Sequence, residues 1–207
     1  MIDRSMLRQE IRKARRALSA QQQDDFAAQL LRHFTVDSKI LAANHIALYR
    51  SNDGELNTSA LIDWCWQQGK QVYLPVVHPF ASGHILFLHF EQHTPMVTNQ
   101  YGIKEPKLDV RKIIAPQLLD VICTPLVAFD KTGARLGMGG GFYDRTLAHW
   151  YKSSQQDAKI SNSKTTSIKP YPIGLAHNCQ LVDTIPTALW DIPLPEIITP
   201  AQHYKFD

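Results

Sequence analysis

Residues 133–145, GARLGMGGGFYDR, combine five glycines, two arginines and a Phe-Tyr-Asp triplet directly after an apolar run. Residues without a Cβ let the backbone take positive φ and turn several N–H groups toward one anion. A helix opening after such a turn adds the partial positive charge of its N-terminus, and Arg135 and Arg145 add full charges. The chemistry this serves is phosphate binding. Neither common nucleotide fingerprint fits: the Lys-Ser/Thr ending of a Walker loop is missing, and glycines at 137, 139, 140 and 141 do not give the G-x-G-x-x-G spacing. Phe142 and Tyr143 sit where a planar ligand stacks, and Asp144 follows where a carboxylate reaches a magnesium ion on phosphate oxygens. A glycine cluster can also be a plain flexible joint between strand and helix. The aromatic pair and the acid distinguish this one.

The elements that must position the turn are legible from periodicity. Residues 3–19 predict a helix, with Leu7, Ile11, Ala14 and Leu18 on one buried stripe and Arg4, Arg8, Arg12, Arg15 and Arg16 forming a second stripe beside it. Arg12, Arg15 and Arg16 read as a solvated basic face. SAQQ at 19–22 predicts a capping box that starts a second helix, with Phe26, Leu30 and Phe34 inward. HIALYR (45–50), QVYLPV (71–76), ILFLHF (85–90), VICTPLVAF (121–129) and PIGLA (172–176) are short β-branched or aromatic runs and read as strands. Between the first two, Thr58 is placed to cap a helix whose Leu61, Ile62 and Cys65 face inward and which Gly69 ends, a strand–helix–strand unit with a parallel crossover. The near-continuous apolarity of VICTPLVAF predicts a central strand covered on both faces, followed by a helix from about Gly141 through Trp150. Residues 151–169 are polar and aperiodic and read as a mobile loop. Near the end, paired prolines defer regular structure until Ile197 and Ile198. The fold class is α/β: a mostly parallel central sheet flanked by helices, with an N-terminal helical pair, in one domain over 1–207.

At 207 residues, 44% of them hydrophobic and 20% charged, the chain is long enough and apolar enough for one core. No stretch approaches the roughly 18 apolar residues of a membrane span, and the basic N-terminus lacks the apolar centre of a secretory signal, so a cytosolic protein with no membrane partner is expected. Cys65, Cys123 and Cys179 form no C-x-x-C pair and read as buried small hydrophobes rather than as a disulfide or zinc framework, with a reactive thiol the minority reading. A net charge of +3 favours an anionic ligand without demanding a nucleic acid. Nucleic-acid binding through the arginine stripe is the competing class of function. A sugar-phosphate isomerase or transferase on a similar scaffold is another.

GARLGMGGGFYDRTL closely resembles the signature of the 5-formyltetrahydrofolate cyclo-ligase family, also called 5,10-methenyltetrahydrofolate synthetase. RSMLRQEIRKARRALS, YRSNDGELNT, YGIKEP and WDIPLP extend the resemblance, in order, over almost the whole chain. It implies an enzyme that couples ATP hydrolysis to closing 5-formyltetrahydrofolate into 5,10-methenyltetrahydrofolate with magnesium present, in folate one-carbon metabolism, as a monomer without nucleic acid. It implies ATP contacts at Arg4, Arg8, Arg135, Gly137, Met138, Gly139, Gly140, Gly141, Phe142 and Tyr143. Folate contacts are implied at Arg50, Glu55 and Tyr101 and along Met138 to Phe142, with Glu105 a weaker candidate. Arg135, Tyr143 and Asp144 are the implied catalytic residues, and Asp144 and Asp191 the implied magnesium ligands. Arg4 stands where relatives more usually carry Lys, Gly140 where some carry Lys, and Met138 where some carry a basic residue.

Overall fold

A computed structural model describes residues 3–160 and 168–206. The N-terminal pair forms as α1 (Arg4–Arg16) and α2 (Ala20–Phe34), followed by a single turn, α3 (Ser38–Ala42). Ser19 and Gln22 make the expected capping box, each side chain taking the other's backbone N–H. After β1 (His45–Ala47) come α4 (Ser59–Gln67), β2 (Gln71–Val77) and β3 (Ile85–His89). A small hairpin of β4 (Met96–Thr98) and β5 (Lys104–Pro106) precedes β6 (Ile113–Ile114), β7 (Val121–Pro125) and the short antiparallel pair β8 (Ala128–Phe129) and β9 (Arg135–Leu136). The chain ends with α5 (Phe142–Ile160), β10 (Tyr171–Leu175), β11 (Glu196–Ile198) and β12 (His203–Lys205).

Among the described residues, the main sheet has the order β12-β11-β10-β7-β1-β2-β3-β6. The five strands from β11 to β2 are parallel, and antiparallel strands lie outside them on both edges. Alternation along the strands sends Ile46, Val72, Val121, Cys123 and Ile198 to the face covered by α2, α3 and α4, where Leu30, Phe34, Ile40, Leu61 and Cys65 meet them. Ala47, Tyr73, Ile122 and Ile197 point to the other face, against Leu147 and Trp150 of α5. α1 lies apart from both layers, its Leu7 packed on the β8–β9 hairpin through Ala128, Ala134 and Leu136.

Four local expectations are corrected. The buried row of α1 passes through Leu7 and Arg15, while Ala14 is exposed; spacing of four residues brings positions 7, 11 and 15 onto one face. Thr58 does not cap α4: its hydroxyl donates to Tyr49 O, and Asn57 Oδ1 accepts from Ser59 N instead, at 2.9 Å. VICTPLVAF is two strands, since after Pro125 the chain leaves the sheet and Val127 N donates to Leu136 O at 2.7 Å. The helix expected to end at Trp150 runs to Ile160, through a stretch free of Gly and Pro in which Lys, Gln and Ala are good helix formers. The first part of the expected 151–169 loop is therefore helical, and 161–167 lie outside the described residues.

Candidate functional site

In the sheet order, β1 runs to β2 on one side while β7 runs to β10 and β11 on the other, so the winding reverses between β1 and β7. Side chains that follow parallel strands diverge there, leaving a crevice beyond the carboxyl ends. The crevice holds a cavity of about 640 Å³ lined by Tyr49 and Arg50 after β1, Leu74, Pro75 and Val77 at the end of β2, Pro125 at the end of β7 and Leu126 just beyond it, and the glycine turn.

One wall is built for an anion. Gly139 and Gly141 take φ of +104° and +66°, conformations that L side chains rarely adopt, and the turn runs directly into the first turn of α5. Arg145 Nη1 ties the carbonyls of Gly140 (2.6 Å) and Gly83 (3.1 Å), fixing the loop from outside. Arg8 Nε donates to Gly137 O at 2.8 Å. Its pKa is lowered by burial and then by the neighbouring Arg4 charge, a crowding of guanidinium groups that a bound polyanion relieves. Arg135, almost wholly buried, donates from Nη2 to Asp144 Oδ1 at 2.7 Å and from Nε to Ile192 O at 3.2 Å. Burial lowers its pKa too, opposed by the charges of both Asp144 and Asp191, so these two carboxylates face the same guanidinium.

The implied metal ligands, Asp144 and Asp191, differ in how many oxygens they leave free. Asp144 Oδ1 accepts from Arg135 and from Ile192 N (3.2 Å), which leaves Oδ2 without a hydrogen bond among the described residues. Asp191 is taken on both oxygens by Arg4, at 2.7 and 3.1 Å, and also accepts from Ala188 N at 2.7 Å. Small, hard magnesium binds proteins through one or two carboxylates and fills its shell with waters and phosphate oxygens; Asp144 Oδ2 fits that role, whereas both Asp191 oxygens are engaged by Arg4.

The opposite wall is aromatic and carries one carboxylate. Asp53 and Gly54 have φ of +53° and +76°, and Glu55 N donates to Asn52 O at 3.0 Å, the geometry of a type I′ turn. Glu55 sits at its end, with Oε2 accepting from Asn52 N at 3.0 Å and Oε1 3.9 Å from Arg15 Nη2. Burial raises its pKa from 4.5 to about 7, against the lowering pull of Arg15 and the Asn52 N–H. The buried phenols of Tyr49 and Tyr143 are pushed up by desolvation and then by the Glu55 charge. At the mouth, Tyr101 meets Phe142 edge to face, with centroids 6.0 Å apart and planes at 80°.

The tertiary structure brings Arg50, Glu55, Tyr101, Arg135, Gly137, Met138, Gly140, Gly141, Phe142, Tyr143 and Asp144 to one cavity. Arg4, Arg8 and Asp191 attach at its edge through the bonds above, and Gly139 lies beside the Arg8 guanidinium. Glu105 lies outside the lining: its Oε2 accepts from Val77 N (3.0 Å) and Asn99 Nδ2 (2.8 Å), a loop support. Sequence reasoning missed Tyr49, Asn99 and Lys104 as lining residues. The aromatic end of HIALYR and the Lys beside Glu105 were the available signals.

The solvated basic face expected for Arg12, Arg15 and Arg16 is contradicted at Arg15, while Arg12 is half-buried and Arg16 stays exposed. Arg15 is fully buried and donates to Asp53 O and Oδ2, both at 2.8 Å, and to Leu126 O at 3.3 Å. Arg12 Nε donates to the same Asp53 Oδ2 at 2.7 Å, and Arg16 is 3.4 Å from Oδ1. Three cations converge on one acid because the turn presses against α1, where a Cβ on Gly54 would lie 3.2 Å from the Arg15 backbone. Arg12, Arg15 and Arg16 are thereby paired with one internal acid, and Arg15 is withdrawn from the surface altogether. Of the cysteines, Cys65 and Cys123 are buried and Cys179 is half-buried; desolvation pushes the Cys65 thiol up to about 12. No described helix is long and apolar enough to cross a membrane.

Residues 1–200 match the model of the 5-formyltetrahydrofolate cyclo-ligase family. The 5-formyltetrahydrofolate cyclo-ligase of Escherichia coli (strain K12) is 44% identical over 196 residues, 95% of this chain and 100% of that protein. That of Haemophilus influenzae is 47% identical over 195 residues, 94% and 96%. Among solved structures, the 5,10-methenyltetrahydrofolate synthetase of Aquifex aeolicus superposes with a TM-score of 0.77 at 24% identity, covering 98% of this chain and 92% of that one. A Mycoplasma pneumoniae 5,10-methenyltetrahydrofolate synthetase gives 0.69 at 23% identity, with coverage of 96% and 99%, so the fold extends beyond ready sequence identity. By its ordered motifs, its fold and this match over nearly its whole length, the chain belongs to the 5-formyltetrahydrofolate cyclo-ligase family.

Proposed function

We propose that the protein closes 5-formyltetrahydrofolate into 5,10-methenyltetrahydrofolate with ATP and magnesium, releasing ADP and phosphate, as a cytosolic monomer. The observation that carries this reading is the juxtaposition in one cavity of an anion-binding glycine turn, with its arginines, and an aromatic wall bearing the half-buried Glu55. A phosphate donor and a planar heterocycle thus have adjoining seats.

The formyl group on N5 is an amide whose oxygen is a very poor leaving group. Transfer of the γ-phosphoryl group to that oxygen, with departure of ADP, yields an N5-iminium phosphate. N10 of the same folate attacks its carbon and gives up its proton, and the C–O bond breaks as phosphate leaves. Nucleophile and electrophile belong to one bound molecule, so positioning supplies much of the rate of ring closure. Residues of this chain align and stabilise rather than form covalent bonds: backbone N–H groups of the turn, the N-terminus of α5, Arg8 and Arg135 face the phosphates. Arg4 turning from Asp191 to phosphate would add a charge to the donor and free Asp191 beside Asp144. Asp144 and Asp191 would hold magnesium, which would supply positive charge to the phosphate donor. On the other wall, ionised Glu55 accepts two N–H bonds from the pterin edge, Tyr101 and Phe142 enclose the ring, and Arg50 and Lys104 offer positive charge to the substrate's carboxylate tail.

The test is a spectrophotometric assay of the full chain with 5-formyltetrahydrofolate, ATP and magnesium, following the strongly absorbing methenyl product. ATP- and magnesium-dependent product formation is expected. Folded protein that yields none refutes the reading, and salt-sensitive RNA or DNA binding without folate-stimulated ATP hydrolysis would favour the nucleic-acid alternative.

A further inference from the structure

Away from the cleft, the face of the sheet under α3 carries a second convergence of polar groups. Asp37 caps α3 through Oδ1, which accepts from Lys39 N and Ile40 N, both at 3.0 Å. Its Oδ2 has no hydrogen-bond partner although the side chain is only 1% exposed. An isolated buried carboxylate oxygen carries a full desolvation cost unless a cation or donor meets it. Glu196, at the start of β11, is also buried; its Oε1 takes the Tyr171 phenol at 3.0 Å and the Lys39 ammonium. Its other oxygen, Oε2, faces His203 Nε2 at 3.1 Å, and that nitrogen is 4.0 Å from Asp37 Oδ2.

We propose that Asp37 Oδ2, Glu196 Oε2 and His203 Nε2 form a binding site for a divalent metal ion of the zinc class. The three atoms lie within 4.8 Å of one another, and the described residues contain no other such group of three His, Cys, Asp or Glu ligands. Two carboxylate oxygens and one imidazole are a donor set that zinc accepts, with a fourth position left for water. Ligands about 2.0–2.1 Å from a tetrahedral ion sit about 3.4 Å apart. The Glu196–His203 pair already meets that spacing closely; Asp37 has about 0.6 Å to close toward His203 and, with all three atoms within 4.8 Å of one another, at most about 1.4 Å toward Glu196, within the reach of side-chain rotation. Each carboxylate is oriented by its other oxygen: two backbone N–H groups hold Asp37, while Lys39 and Tyr171 hold Glu196. Outer partners of this kind fix ligand direction in metal sites. His203 is the half-buried member of the group and provides the route for ion and water. The bound ion would join α3 to β11 and β12, and so fasten the edge of the sheet.

The competing occupant is a proton, with an imidazolium lying between the two carboxylates. The full chain, dialysed against a chelator and then titrated with zinc chloride in excess magnesium, separates the two. Elemental analysis is expected to return one zinc per chain, with a rise in Tm on zinc addition that the chelator reverses. His203→Gln, and Asp37→Asn, which keeps a capping oxygen, are each expected to weaken zinc binding at least about tenfold. Both should abolish the zinc-dependent Tm shift and leave formation of methenyl product intact, since neither residue lines the cleft. Zinc uptake by wild type no greater than that of His203→Gln, or a Tm indifferent to zinc and chelator, overturns the proposal in favour of the proton. If the variants fail to fold, X-ray absorption of zinc-loaded wild type decides: one nitrogen with oxygen neighbours supports the site, and sulfur ligation refutes it.

Discussion

The Arg15 guanidinium grips Asp53 on both its main-chain carbonyl and its side chain, at 2.8 Å each, and holds this non-glycine residue at φ +53°. That grip shapes the turn from which Glu55 enters the cavity, and it connects the face of α1 that carries Arg4 and Arg8 to the aromatic wall. Replacing Arg15 with Met leaves Asp53 O and Leu126 O without their buried donor and the Asp53 carboxylate with Arg12 and Arg16 alone, and should cost about 3 kcal/mol of stability. Urea denaturation measures this, and the KM for folate should rise more than the KM for ATP. Equal changes in both constants would show that Arg15 does not act through the turn.

Stability against pH should expose the Glu55 environment. Burial raises the Glu55 pKa from 4.5 to about 7, so the folded state binds the extra proton between those values. Its contribution is full below about pH 4.5 and is lost as pH rises through 7. His177 has the opposite sign: burial lowers its pKa from 6.5 to about 4, so its contribution is lost as pH falls through that window. The two slopes oppose each other between about pH 4.5 and 6.5 and flatten the wild-type profile. Glu55→Gln removes one of them, and its stability relative to wild type should climb by about 2.5 kcal/mol between pH 5 and pH 8. A constant difference across that range would place the Glu55 pKa near its ordinary value. The same variant should weaken folate binding while leaving ATP binding nearly intact, as calorimetry can show.

Asp144 pairs with Arg135 and is proposed to hold magnesium, and two substitutions separate these roles. Its Oδ1 compensates the buried Arg135, so Asp144→Ala leaves that charge unpaired and should cost both turnover and about 3 kcal/mol of stability. Asp144→Asn keeps an acceptor for Arg135 but removes the anionic oxygen, so stability should fall by only about 1 kcal/mol. The magnesium concentration for half-maximal rate should rise. An unaltered magnesium titration in the folded Asn variant would remove Asp144 from the metal site.

Lysine at position 140 should not strengthen ATP binding in this chain. A Cβ on Gly140 would lie 2.7 Å from the Phe142 ring, which must then swing from its place against Tyr101. Gly140→Lys is therefore expected to raise the folate KM severalfold, with little gain in ATP affinity. A tighter ATP Kd with an unchanged folate KM would show that the added ammonium outweighs the displaced ring.

Local signals carried much of the fold. The capping box at Ser19, the parallel crossover from β1 to β2 and the central position of β7 all follow from caps, strand-like composition and uninterrupted apolarity. Errors arose where a polar side chain occupied a slot that the pattern assigns to an apolar one. Arg15 replaces Ala14 in the buried row because Asp53, far along the chain, waits opposite it; helical spacing counts positions and does not know their partners. The position of Thr58 before α4 predicts a cap because capping is local, but its hydroxyl is drawn to the carbonyl of Tyr49.

The sequence by itself determined the kinds of parts: a glycine turn before a helix, paired aromatics, acids at 144 and 191 and arginines at a helical period, in an order that identifies the family. Those properties depend on residues close together in the chain, where spacing fixes which groups share a face. The tertiary structure alone decided how the charges are shared. Arg4 closes Asp191, Arg135 occupies one oxygen of Asp144, Arg12 and Arg15 are spent on Asp53, and Asp37, Glu196 and His203 meet under α3. Pairings between such distant residues depend on how strands order in the sheet and which layer each helix covers, and the strength of each depends on burial that no local pattern specifies.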